Sequence, residues 1–197
     1  MVVQTLADLT GWLKAVYGLR PDAPDHQHVE PRVAVVIAVI GCGNSNRLDD
    51  GAGIEVLHRL RARGIGTDEQ RVRLLAAGTD GMATMFAARG CRSLIIVDAC
   101  RSGSDPGAVF EVPGDELEQP YQPSLNLHDF RWDHALYAGR QIFREQFPSD
   151  VVVLLIEVQT TELGIGLSER VASAVARVTD RVEVLIRSRL VVQGETG

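Results

Sequence analysis

Three segments of the 197-residue chain carry side chains able to do chemistry together. Asp49 and Asp50 stand side by side in GCGNSNRLDDGAG (Gly41–Gly53), Asp98 follows the apolar run SLIIV, and His128 lies in SLNLHDF beyond Pro120 and Pro123. Two carboxylates and one imidazole at the ends of strands or loops form a mixed oxygen and nitrogen donor set. Such a set suits nickel or zinc and leaves positions open for water or a substrate carbonyl. Each residue also has a plainer reading. Aspartate is a preferred helix N-cap, so one of Asp49 and Asp50 is expected to cap the helix that follows. Asp98 could cap or turn the chain after a strand, and an isolated histidine often serves packing or solvation. Asp50, at a helix start, is expected to stay an anion and an available oxygen ligand.

Other chemistries fit less well. The GxG after the first apolar run lacks a third glycine at position 46, and two carboxylates at that helix end would repel a pyrophosphate. Neither a GxSxG elbow nor an HExxH helix is present. Cys42, between two glycines, has the placement of an activated nucleophile, although its small size alone explains it. His134 falls six residues after His128 and points away from it on an ideal helix. His26 and His28 form an HxH pair in a stretch that reads as a solvated linker.

These residues need elements to hold them. Leu6, Leu9, Leu13, Val16 and Tyr17 recur at helical spacing, predicting an amphipathic helix over residues 1–20, and Pro21 to Glu30 reads as a polar linker. Arg32 to Gly41 is a continuous β-branched run suited to the centre of a parallel sheet. A helix is expected from Asp50 to Arg63, a strand over Val72 to Ala76, a short helix over Thr79 to Arg89 and a buried strand over Ser93 to Ala99. There follow a strand at Ala108 to Val112, a helix from Leu127 to Phe147, a strand at Val151 to Val158 and a closing helix from Ser168 to Arg187, with Ser168 as N-cap. The pattern divides the chain into an N-terminal helix and linker (1–30), one α/β domain (31–190) and a tail (191–197). Alternating strands and helices imply a three-layer sandwich on a mostly parallel sheet. Ligands in such folds bind beyond the carboxyl ends of the strands, where Asp50 and Asp98 fall.

Composition narrows the partners. A formal charge of −6 without a basic stripe disfavours nucleic acid. No apolar run approaches the roughly 18 residues of a membrane span, and the first 30 residues carry no secretory signal pattern. Three cysteines without CxxC spacing argue against a disulfide framework or a thiolate metal site. A cytoplasmic protein is expected.

Five motifs in order, GCGNSNRLDDGAG, AGTDGM (Ala77–Met82), LIIVDA (Leu94–Ala99), LHD (Leu127–Asp129) and LGIGLS (Leu163–Ser168), resemble those of the hydrogenase maturation proteases. The resemblance spans roughly Val33 to Arg187. It implies a phosphorylase-like α/β fold and a metal-dependent, aspartic-type endopeptidase. Such an enzyme removes the C-terminal extension of a NiFe-hydrogenase large-subunit precursor after nickel is inserted. It also implies that Asp50, Asp98 and His128 are the catalytic and metal-binding residues, that the nickel arrives with the precursor, and that Gly78, Thr79 and Asp80 form a substrate-contacting turn. Capping of the next helix by Thr79 is the plainer reading of that turn. A monomer is expected. Two features depart from the family pattern: the segment before Val33, and Arg131 with Trp132 where a glycine and a small apolar residue are usual. A non-catalytic chaperone or adaptor for the nickel-loaded precursor is the alternative function, and a nucleotide or phosphorylase-type enzyme on the same fold is a more distant one.

Overall fold

The computed structural model describes residues 37–69, 71–117 and 131–191. The expected N-terminal helix and linker, the first residues of the Arg32–Gly41 run, the LHD motif with His128, and residues 192–197 lie outside the described residues.

A five-stranded sheet forms the middle layer. Its strands are β1 (Ile37–Cys42), β2 (Val72–Gly78), β3 (Ser93–Cys100), β4 (Val109–Pro113) and β5 (Asp150–Glu157), in the order β2-β1-β3-β5-β4. The first four in that order run parallel, and β4 lies antiparallel on the edge against β5. The apolar runs form central strands because both of their faces are covered. Ile37 and Val39 join one core with Ile95, Val97, Val152 and Leu154. Ala38 and Ile40 join the other with Leu94, Ile96, Val151 and Val153. That is the period-two alternation of a sheet packed on both sides.

Helices α1 (Ala52–Ala62) and α5 (Glu169–Val191) cover the first face through Val56, Leu57, Leu60, Val171, Val175, Val178 and Val182. Helices α2 (Gly81–Ala88) and α4 (Trp132–Phe143) cover the second through Met85, Trp132, Ala135 and Leu136. A one-turn helix α3 (Gly114–Leu117) follows the edge strand. The expected three-layer α/β sandwich is therefore the fold.

Some boundaries move for local reasons. Residues Leu48–Gly51 form a separate 3-10 turn ahead of α1, instead of one helix starting at Asp50. The helix expected to reach Phe147 ends at Phe143, where Arg144 adopts φ +48 and a 3-10 turn over Arg144–Gln146 brings Phe147 back. The returning ring lies so close to Gly139 that a Cβ there would stand 2.2 Å from Phe147 Cε2. The closing helix continues past Arg187 to Val191, and Arg189 in its last turn makes two bonds to Asp150 at the start of β5. Among the described residues no helix is long and apolar enough to cross a membrane.

Candidate functional site

The carboxyl ends of β1, β2 and β3 open into a cavity of about 860 Å³. Cys42 and Gly43 line it from β1, Gly78 to Gly81 from β2, and Asp98 to Arg101 from β3, with Asp50, Arg131 and Trp132 closing the sides. Asp50, Asp98, Gly78, Thr79 and Asp80 thus share one cavity, although they come from three separate segments. His128 lies outside the described residues. Among the described residues, no group of three side chains is arranged to hold a metal ion.

The turn after β1 places Asp50. Gly43, at φ +109, occupies backbone space favourable only to glycine, and a Cβ there would lie 1.8 Å from the Asp50 carbonyl oxygen and 3.8 Å from Asp98 Oδ1. The two acids therefore flank one glycine. Asp50 Oδ2 accepts from Asn44 N at 2.9 Å, which holds the carboxylate over the turn. Gly53, in the first turn of α1, allows the helix to approach the sheet, since a Cβ there would meet Val97 O at 2.4 Å and Cys42 O at 2.5 Å.

Neither Asp49 nor Asp50 is the expected N-cap. The residue before α1 is Gly51, and no side chain bonds to the helix start. Asp49 is wholly buried and turns the other way, accepting from Gln159 N (3.0 Å), Thr160 N (3.2 Å), Ser168 N (2.6 Å) and Ser168 Oγ (3.0 Å). It fastens the turn to the segment between β5 and α5. Ser168 does precede α5, and its carbonyl accepts from Ala172 N, but its hydroxyl is engaged by Asp49.

Asp98 projects from the end of β3 and is 6% exposed. Its Oδ1 accepts from Ala99 N at 2.8 Å and its Oδ2 from the Trp132 indole Nε1 at 2.7 Å. The Arg131 guanidinium stands 3.6 Å from Oδ2. Burial pushes the Asp98 pKa up to about 6; the indole, the Ala99 amide and Arg131 oppose the rise, while the negative charge of Asp50 adds to it. A carboxylate so tuned is ionised at neutral pH and still basic enough to accept a proton. The burial that makes its charge costly also means that a cation beside it would relieve that cost, so the two carboxylates suit a divalent ion as oxygen donors.

The β2 turn settles its own question. Asp80, not Thr79, caps α2, accepting from Met82 N at 2.8 Å and Ala83 N at 3.1 Å. Cys42 is buried, and burial, followed by the Asp98 charge, pushes its thiol far above the ordinary range. It is a neutral packing residue here and not an activated nucleophile.

Three contributors escaped sequence reasoning in that role. Arg131 and Trp132 stand out in the sequence only as departures from a pattern, yet both contact Asp98. Glu157, the buried last residue of β5, accepts from Ser102 N, Ser102 Oγ and Gly103 N, with Cys100 Sγ at 3.3 Å. It holds the loop after β3 that supplies Arg101 to the cavity wall. A carboxylate closing an apolar strand was the available signal, and it is the same signal that marks Asp98.

Comparison with known proteins agrees with this geometry. The family model described as hydrogenase maturation protease matches residues 54–184, from α1 into α5 and across β3 with Asp98. Hydrogenase 2 maturation protease of Escherichia coli K12 is 26% identical over 152 residues, covering 77% of this chain and 90% of that protein. The solution structure of an endopeptidase from Escherichia coli superposes with a TM-score of 0.65 at 26% identity, covering 78% of this chain and 93% of that one. The hydrogenase maturating endopeptidase HybD from E. coli shares the fold, with a TM-score of 0.63 at 23% identity and the same coverage of 78% and 93%. With two acids converging where the sheet ends, and a family model that matches most of the sheet and its helices, the chain belongs to the hydrogenase maturation protease family.

Proposed function

We propose that this protein is an endopeptidase that removes the C-terminal extension of a NiFe-hydrogenase large-subunit precursor once nickel has been inserted. The observation that carries the proposal is the meeting of Asp50 and Asp98 in one cavity of a chain from this family. Two carboxylates are an incomplete donor set, which suits an ion that arrives with ligands of its own. The nickel is thus read as part of the substrate, with Asp50, Asp98 and His128 receiving it. A divalent ion held there polarises a nearby carbonyl or acidifies a water. An ionised carboxylate of the pair takes up the proton released when water attacks the scissile carbonyl. Asp50 faces the same space, and the Gly78, Thr79 and Asp80 turn, which also lines it, contacts the substrate chain. The enzyme acts in the cytoplasm as a monomer.

The test is to incubate the protein with nickel-loaded and nickel-free precursor and follow the precursor's mass, alongside Asp50→Ala, Asp98→Ala and His128→Ala. Loss of a C-terminal peptide from the nickel-loaded form alone, and only with all three residues intact, is the expected result. An unchanged mass with a precursor that nevertheless binds would replace the peptidase by a non-catalytic adaptor.

A further inference from the structure

The loop between β5 and α5 reaches the cavity rim at Thr161 and then exposes two large apolar side chains, Leu163 at 81% and Ile165 at 89%. These are more exposed than Val109, Val184 or Val191, the other exposed large hydrophobics among the described residues. A solvated apolar tip is unremarkable on a mobile loop, but this one is fastened at several points. Asp49 holds Gln159, Thr160 and Ser168 on either side of it. Between the two apolar residues, Gly164 N donates to Asn46 O and Leu48 N donates to Gly164 O, forming a strand-like bridge with Arg47. Arg47 Nη1 also donates to Thr161 O at 3.0 Å. Gly164 sits directly on Leu48, since a Cβ there would lie 2.8 Å from Leu48 Cδ2. Leu163 and Ile165 flank the bridged Gly164 directly, so the bridge fixes both at one tip of the loop. The same turn that carries the bridge carries Asp50.

We propose that Leu163 and Ile165 form a fixed docking tip for an apolar segment of the precursor polypeptide beside the scissile region. This rests on the peptidase reading above. Continuity selects the occupant: the tip joins the cavity through Thr161 and joins Asp50 through Leu48, so a chain lying in the cavity passes over it. A site ordered before binding loses little freedom on association, and a few buried apolar anchors can dominate an interface.

The test measures the affinity of immobilised nickel-loaded precursor for the wild type, for Leu163→Ser/Ile165→Ser and for Val184→Ser on α5, together with steady-state cleavage and sedimentation. The double variant should unfold at the wild-type temperature, because both side chains already face solvent. Its Kd and KM should rise at least tenfold with kcat within twofold, while Val184→Ser matches the wild type. Unchanged Kd and KM would overturn the docking role, as would loss of kcat alone. A wild-type dimer that the double variant converts to monomer, at unchanged Kd, would reassign the tip to self-association. A wild type that binds but does not cut would sink the peptidase reading and leave docking to be decided by Kd; one that does neither would sink both.

Discussion

Replacing Asp98 with asparagine separates the cost of the site from its use. The pKa of Asp98 rises from the ordinary 3.8 to about 6, chiefly through burial. At about 1.4 kcal/mol per pH unit this amounts to about 3 kcal/mol, with little discount for screening because the residue is only 6% exposed. The sign follows from linkage. A carboxyl group that holds its proton more tightly when folded contributes stability that is complete below about pH 3.8 and is lost as pH rises through about 6. Asparagine cannot ionise, so the variant lacks this loss. It introduces a fixed cost instead: Asp98 accepts from both Ala99 N and Trp132 Nε1, and the single amide oxygen can serve one of them. That cost, about 1–3 kcal/mol, does not change with pH. Urea unfolding of both proteins from pH 4 to 8 should show the variant gaining about 2.5 kcal/mol on the wild type across the window, whatever the offset between them. Parallel curves would refute the raised pKa, and a wild type that gains on the variant as pH rises would reverse its sign. Trp132→Phe, which removes a bond that opposes the rise, should move the wild-type window to higher pH.

Asp49→Ala leaves Gln159 N, Thr160 N and Ser168 N without their shared acceptor and should destabilise the fold by about 3 kcal/mol, measurable by urea unfolding; a change below about 0.5 kcal/mol would show that the loop is held by other contacts. Gly43→Ala should abolish precursor cleavage, because its Cβ would collide with the Asp50 carbonyl at a φ of +109; wild-type turnover would show that the turn relaxes without moving the acid. Native Cys42 should resist iodoacetamide until the protein unfolds, and Cys42→Ala should still cleave the precursor. An inactive but folded Cys42→Ala would restore the thiol to the chemistry.

The strands were legible because β-branched runs have few alternatives once both faces are covered. Ser93 to Ala99 is expected and Ser93–Cys100 is found; Val151 to Val158 is expected and Asp150–Glu157 is found. The residual shifts arise from pairing. Ser93 opposes Asp150 and Cys100 opposes Glu157, so each strand's limits depend on the other. Asp98 was legible because a charged residue after an apolar run stands at the sheet's carboxyl edge. Its partner Trp132 was not, since the indole bond joins residues 34 apart, and local spacing carries no record of that approach. The helix from Leu127 to Phe147 read as continuous because its apolar spacing does not register the positive φ of Arg144.

The adjacent acids show most directly where local reading stops. Asp49 and Asp50 have the same chemistry, adjacent places in one motif and the same preference for a helix start, so composition cannot assign them different tasks. The 3-10 geometry of Leu48–Gly51 does. With about three residues per turn, consecutive side chains diverge by about 120°. One acid therefore turns into the protein when the other faces the cavity. The inward one becomes a wholly buried anchor because the β5–α5 segment brings backbone and hydroxyl donors to it. The outward one is left beside Asp98. The two tasks are coupled, since the bonds that hold Asp49 also fix the direction of Asp50. Deleting Leu48 would shift Asp50 into the buried position and Gly51 into the cavity-facing one, burying the wrong carboxylate and leaving the cavity without its acid.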